Sequence, residues 1–218
     1  MASSQRLKEL FTESLRLLYD AHHQGASQAL ANSGTSSLPK LKHVFRDVAK
    51  SQLKQARRLE RAFATLGLKP ERKTDRGMQG LIEANNGLVA RCDGRAPRDL
   101  ANIAAAQAAG HFILAQAGTL RSYAAALGQR SVVRLLERTL ADAKITDRMF
   151  SQLAARILRK AGDPSYPHEG ALYTTAALHP ARTSTALLGS LAIGAIGLAL
   201  LAPPKPKPRS FAAWLGWR

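Results

Sequence analysis

The chain has 218 residues, 45% of them hydrophobic, and a formal charge of +17. Its single cysteine, Cys92, excludes an internal disulfide framework and a cysteine-based zinc knuckle. The basic excess points to phosphate-bearing partners, either anionic lipid heads or nucleic acid, although it also serves plain solubility.

Met1–Arg16 mixes charged and apolar residues and has no apolar core of the kind a secretory signal needs, so the domain is expected to stay where it is made. Leu7, Leu10, Phe11, Ser14, Leu17, Leu18 and Ala21 recur at three-and-four spacing and predict an amphipathic helix. The polar run Asn32–Pro39 is expected to break it. A second stripe runs through Leu41, Phe45, Val48, Gln52, Gln55, Leu59, Phe63 and Leu66, and Gly67 followed by Pro70 ends it. A short helix is expected near Met78–Arg91, broken by Asp93-Gly94. Pro97 suits the first turn of the next helix, Arg98–Leu127, which stops at Gly128. The last helix spans Ser131–Lys160 and places Leu136, Leu140, Ala143, Asp147, Phe150, Leu153 and Ile157 on one face. Alternating strand patterns are nearly absent. Residues 1–161 therefore read as an all-α bundle of four long antiparallel helices and one short one.

Residues 162–182 form a linker rich in Pro, Gly and His, and residues 183–202 read TSTALLGSLAIGAIGLALLA. Twenty uncharged residues in a helix cover about 30 Å, the thickness of a bilayer's hydrocarbon core. A transmembrane or membrane-inserted helix is expected, although a buried helix of a soluble domain has the same composition. Ser190 and Gly194 form a small-xxx-small pair that can let another membrane helix approach. Residues 203–218 are a basic, proline-rich tail ending in Phe211, Trp214 and Trp217, residue types that favour a membrane boundary. All 15 acidic residues and 27 of the 32 Lys and Arg precede Arg182, which leaves a formal +12 before it. With Lys205, Lys207 and Arg209 beyond the span, charge bias alone does not fix its orientation.

The second helix is loaded with cations: Lys40, Lys42, Arg46, Lys50, Lys54, Arg57, Arg58 and Arg61. Their spacing spreads them over its outer faces. Lys50, Lys54, Arg57, Arg58 and Arg61 are the candidates for contact with lipid or nucleic-acid phosphate. Few aromatics accompany them, which argues against stacking on single-stranded bases. No phosphate-binding glycine loop, nucleophile elbow or His-Glu-x-x-His motif occurs.

Several segments, taken in order, resemble the YciF-like family of bacterial ferritin-like, stress-linked proteins. They are Leu17-Leu18-Tyr19-Asp20-Ala21, Gln55-Ala56-Arg57-Arg58-Leu59-Glu60, Met78-Gln79-Gly80-Leu81-Ile82-Glu83, Ile103-Ala104-Ala105-Ala106-Gln107, Gly118-Thr119-Leu120, and Thr139-Leu140 with Lys144 and Asp147. The resemblance covers roughly residues 7–158. It implies a ferritin-like four-helix bundle with a short extra helix, and says nothing of the tail. Ferritin-like sites hold two metals through inward carboxylates and Glu-x-x-His pairs. The family's glutamate after Tyr-Asp-Ala is replaced here by His22, and its Glu-His-Tyr-Glu pattern by Gly110-His111-Phe112-Ile113. Its acidic cluster falls on Val48, Lys50, Ser51, Gln52 and Leu53, and its last acidic pair on Asp142-Ala143. Two dications in a bundle core need anionic oxygen ligands, and most of those are gone.

What remains is a polar core patch around Gln52 and Gln55, with His22, His111, Asp142 and Asp147 as residual candidates for a mononuclear metal site. The expected function is that of a membrane-anchored bundle without the dimetal cofactor. It would be a structural or interaction subunit at the inner (cytoplasmic) membrane, not an enzyme, with the bundle in the cytoplasm. Its expected partners are membrane lipids and another membrane subunit or a second copy. A divergent metal-dependent, iron-handling oxidase is one alternative. A basic stress protein binding nucleic acid or anionic lipid is the other.

Overall fold

The computed structural model describes residues 2–161. The linker, the segment Thr183–Ala202 with Ser190 and Gly194, and the basic tail lie outside the described residues. Five helices occur: α1 (Ala2–Thr35), α2 (Pro39–Thr65), α3 (Arg76–Ala90), α4 (Arg95–Ala126) and α5 (Arg130–Ala161). α1 pairs with α2 across a short turn, and α4 pairs with α5 in the same way. α1 also packs on α4 and α2 on α5, which closes a four-helix ring. The short α3 lies against α4 and, less extensively, α1. No strand occurs among the described residues, and no described helix is long and apolar enough to cross a membrane.

The helix stops follow from glycine chemistry. Gly67 has φ +70 and Gly128 φ +71, a left-handed conformation that costs a residue with a Cβ. At the end of α2, Gly67 N–H donates to Ala64 O at 3.1 Å and Leu68 N–H to Phe63 O at 2.9 Å. After α4, Gly128 N–H donates to Ala125 O at 3.0 Å and Gln129 N–H to Ala124 O at 2.8 Å. Both ends thus satisfy the last carbonyls through the same paired bonds.

The buried stripes are those of the periodic pattern, with two shifts in α1. Leu10 is 49% exposed, whereas Leu15, five residues on and one turn beyond the buried Phe11, is fully buried. α1 also runs on through Asn32 to Thr35 rather than ending at Asn32. Its polar end is helical because its side chains find partners. Gln28 donates to Asn32 Oδ1 at 2.8 Å, and Ser33 donates to Lys42 O at 3.1 Å. Two apolar clusters fill the bundle. One centres on Phe11, Leu15, Leu18, Leu59, Phe63, Leu120 and Leu136. The other, toward the opposite end, centres on Leu41, Phe45, Ile103, Phe150 and Ile157. Burying each large side chain contributes about 1.5–3 kcal/mol.

Candidate functional site: a buried polar seam

Gln52, Gln55 and Arg58 follow one another at three-residue spacing along the inner edge of α2. His22 of α1 is fully buried. With Gln52 Oε1 as acceptor, His22 donates from Nδ1 at 2.6 Å, which leaves Nε2 as the bare acceptor. Burial pushes the His22 imidazole down to about 4, and the Arg58 and His23 charges push the same way, against the Gln52 bond. His22 is therefore neutral near pH 7. Gln55 is also buried, and it donates to Ser51 Oγ at 3.3 Å.

Arg58 does not share the outward direction expected for the α2 cations. It turns to α5, donating from Nη1 to Thr139 Oγ1 at 3.1 Å and from Nη2 to Asp142 Oδ2 at 2.8 Å. Its side chain is 11% exposed, that of Asp142 32%. Arg57 and Arg58 differ by one step of about 100° on the helix, and the acceptors on α5 decide which one enters the bundle. Lys50, Lys54, Arg57 and Arg61 are exposed. Their spacing sets them on one outer ridge about 16 Å long. Lys50 reaches Asp47 at 3.1 Å on the same surface.

His111 does not join His22. It is 63% exposed and sits 3.2 Å from Asp147, on the seam between α4 and α5. Gln107 donates to the same Asp147 Oδ1 at 2.9 Å and to Ser151 Oγ at 2.9 Å. The four residual ligand candidates are thus divided. His22 is bonded to Gln52 and Asp142 to Arg58, while His111 lies 3.2 Å from Asp147 at the surface.

Three buried carboxylates escaped the sequence reading. Asp20 accepts the Asp75 N–H at 2.9 Å, Gln24 Nε2 at 2.7 Å and Arg72 Nε at 2.9 Å. Burial works to raise its pKa, but these donors outweigh it and hold the carboxyl below the usual range. Asp75 is the N-cap of α3, accepting Met78 N–H at 2.8 Å, and its other oxygen takes Gln116 Nε2. Asp99 of α4 reaches the turn between α1 and α2, accepting Ser37 N–H at 2.7 Å and Leu38 N–H at 3.1 Å. Burial raises the Asp99 carboxyl despite those two amides. Only Asp75 had a local signal, as an N-cap residue just before a helix.

The fit of a dimetal centre can be judged from these donors. His22 Nε2 and Gln55 Oε1 are buried and find no hydrogen-bond partner. They are neutral atoms beside a guanidinium. Asp142, the carboxylate on this seam, is held by Arg58, while Asp20, Asp75 and Asp99 hold backbone amides. Among the described residues no three His, Cys, Asp or Glu are grouped to hold a metal ion. A dication there would meet a fixed cation that already holds the Asp142 carboxylate, so the donor set does not fit the group.

Comparison with known proteins agrees with the helical architecture. The model of a family described as a domain of unknown function (DUF892) matches residues 6–162. Protein YciF of Escherichia coli (strain K12) is 32% identical over 156 residues, 71% of this chain and 93% of that protein. The crystal structure of the Escherichia coli stress protein YciF matches with a TM-score of 0.67 at 30% identity, covering 71% of this chain and 98% of that one. A putative structural protein from Rhodopseudomonas palustris, YcfI, matches with a TM-score of 0.65 at 26% identity, covering 66% of this chain and 92% of that one. On the family match, the shared sequence and the shared helical bundle, the chain belongs to the YciF-like family.

Proposed function

We propose that this YciF-like bundle serves as a structural or interaction subunit held at the cytoplasmic face of a membrane. The observation that carries the non-catalytic half of this reading is the Arg58–Asp142 pair at 2.8 Å. It commits the seam's carboxylate to a structural bridge between α2 and α5. Two similar proteins, one described as a stress protein and the other as a putative structural protein, are in keeping with such a role.

The location rests on sequence. Thr183–Ala202 has the length and apolarity of a span, and a basic, tryptophan-bearing tail follows it. The outer ridge of Lys50, Lys54, Arg57 and Arg61 supports the same placement, since each cation near an anionic leaflet contributes about 1 kcal/mol. Alkaline-carbonate extraction of the membrane fraction tests the anchor. The full chain is expected to stay in the pellet, and its release into the supernatant would refute the anchor. Metal analysis of the protein purified in detergent tests the other half. Stoichiometric iron or manganese would overturn the non-catalytic reading. Preference of the ridge for DNA over anionic vesicles, measured with Lys54→Glu and Arg57→Glu controls, would shift the proposal to nucleic acid.

A further inference from the structure

A groove of about 540 Å³ opens where the start of α2 meets the end of α5, a size within the usual range of ligand sites. Leu38, Leu41, Leu153 and Ile157 give it apolar walls. Lys40, Arg156, Arg159 and Lys160 stand around them, and all four are exposed. None of the four is paired with a carboxylate among the described residues. Asp99, which does reach this end, is buried and spent on the Ser37 and Leu38 amides.

Two of these cations have an ordinary explanation. Arg159 and Lys160 lie in the last turn of α5, where a helix favours positive charge. Lys40 has no such excuse. It sits in the first turn of α2, the positive end of a helix, and that turn contains no acid to balance it. Four cations around an apolar slot, one of them against its own helix dipole, match a ligand with a hydrocarbon body and an anionic head.

We propose that this groove binds one acidic glycerophospholipid, its acyl chain along Leu38 and Pro39 over a floor made by the buried Leu41 and Ile157, and its phosphate among Lys40, Arg156 and Arg159. The inference rests on the membrane placement proposed above and adds a specific lipid to it. Bilayer lipid is the favoured source because the groove offers apolar wall as well as charge. A free phosphate would need only the charge.

The test uses the full chain in neutral-detergent micelles. A phosphatidylglycerol with a photoreactive group at its acyl terminus is added, and labelled peptides are mapped. The same acyl chain on phosphatidylcholine is the control. Labelling is expected on the peptides holding Leu38–Leu41 and Leu153–Lys160, at least about tenfold stronger for the acidic lipid. The surface variant Arg156→Gln/Arg159→Gln/Lys160→Gln is expected to lose it by a similar factor. Equal labelling by both lipids, labelling confined to Thr183–Ala202, or no labelling of these peptides would overturn the proposal. Full competition by inorganic phosphate would also overturn it, by leaving a site for anions alone. Micelles reach the groove whether or not the chain is anchored. Carbonate release would therefore remove the anchor without deciding the groove.

Discussion

Arg58 on α2 and Asp142 on α5 meet at 2.8 Å inside the bundle, with Thr139 Oγ1 accepting a second guanidinium N–H at 3.1 Å. Among the described residues, no other side-chain ion pair joins these two helices. It replaces what would otherwise be a desolvated charge on either side.

Breaking that pair from one side should cost more than removing it entirely. Asp142→Ala strands a guanidinium that is 11% exposed, with an expected loss of about 2–3 kcal/mol. Replacing both partners, Arg58→Met with Asp142→Leu, should recover most of that loss, because apolar groups of similar size leave no charge unpaired. Urea unfolding of the two singles and the double reads the coupling. Strict additivity would show that the two side chains do not act together.

His22 should make the protein acid-sensitive in a defined window. Its folded pKa is lowered from 6.5 to about 4, so the folded state binds fewer protons than the unfolded chain. The stability it allows is fully present above pH 6.5 and falls as the pH drops toward 4, by about 3 kcal/mol in all. Asp20, with its depressed pKa, loses stability in the same direction but at lower pH. His22→Gln removes the titration while leaving an amide to face Gln52. Its urea midpoint should fall less between pH 6.5 and 4.5 than that of the parent. Parallel curves would exclude His22 as the source.

The Asp20–Asp75 relay ties α3 to the bundle. Asp75→Ala removes the N-cap of α3 and should cost about 1–2 kcal/mol. Asp20→Ala strands the buried Asp75 N–H, while the half-exposed Arg72 head keeps its water, and should cost about 1–3 kcal/mol. Hydrogen exchange locates the effect. The Met78 amide should lose protection first in Asp75→Ala, and the Asp75 amide in Asp20→Ala. Unchanged exchange in α3 would contradict the relay.

Glycines within helices separate by their surroundings. A Cβ added to Gly110 or Gly118 meets no atom within 4 Å, so Ala there should stabilise α4 by about 0.5–1 kcal/mol. A Cβ on Gly77 would lie 2.8 Å from Phe112 Cζ and 3.2 Å from Asp75 Oδ1. Gly77→Ala should therefore gain nothing or lose stability, because the ring must move away from the α3 cap. Thermal unfolding of the three variants decides it, and a gain at Gly77 equal to that at Gly118 would show that the ring yields freely.

The sequence by itself determined the helices and most of their inward faces. Leu59, Phe63, Phe150 and Ile157 are buried because apolar residues at three-and-four spacing share one side of a helix, a local property of the chain. Gly67 and Gly128 announced their helix ends for an equally local reason, the freedom to take positive φ. The family was legible through short matching segments.

The site was legible only in part. Gln52 and Gln55 stood out as polar breaks in an apolar stripe, and His22 as a substitution beside it. Which polar group meets which was decided by tertiary structure alone. Arg58 turns inward because Thr139 and Asp142 await it 81 and 84 residues on. His111 finds Asp147 at the surface instead of His22 in the core. Asp99 caps a turn 61 and 62 residues earlier, and nothing in its neighbourhood along the chain announces this. Periodicity tells which side of a helix faces in. The partners of a buried charge depend on how the helices are set against one another, and only the assembled bundle brings those distant residues within hydrogen-bond reach.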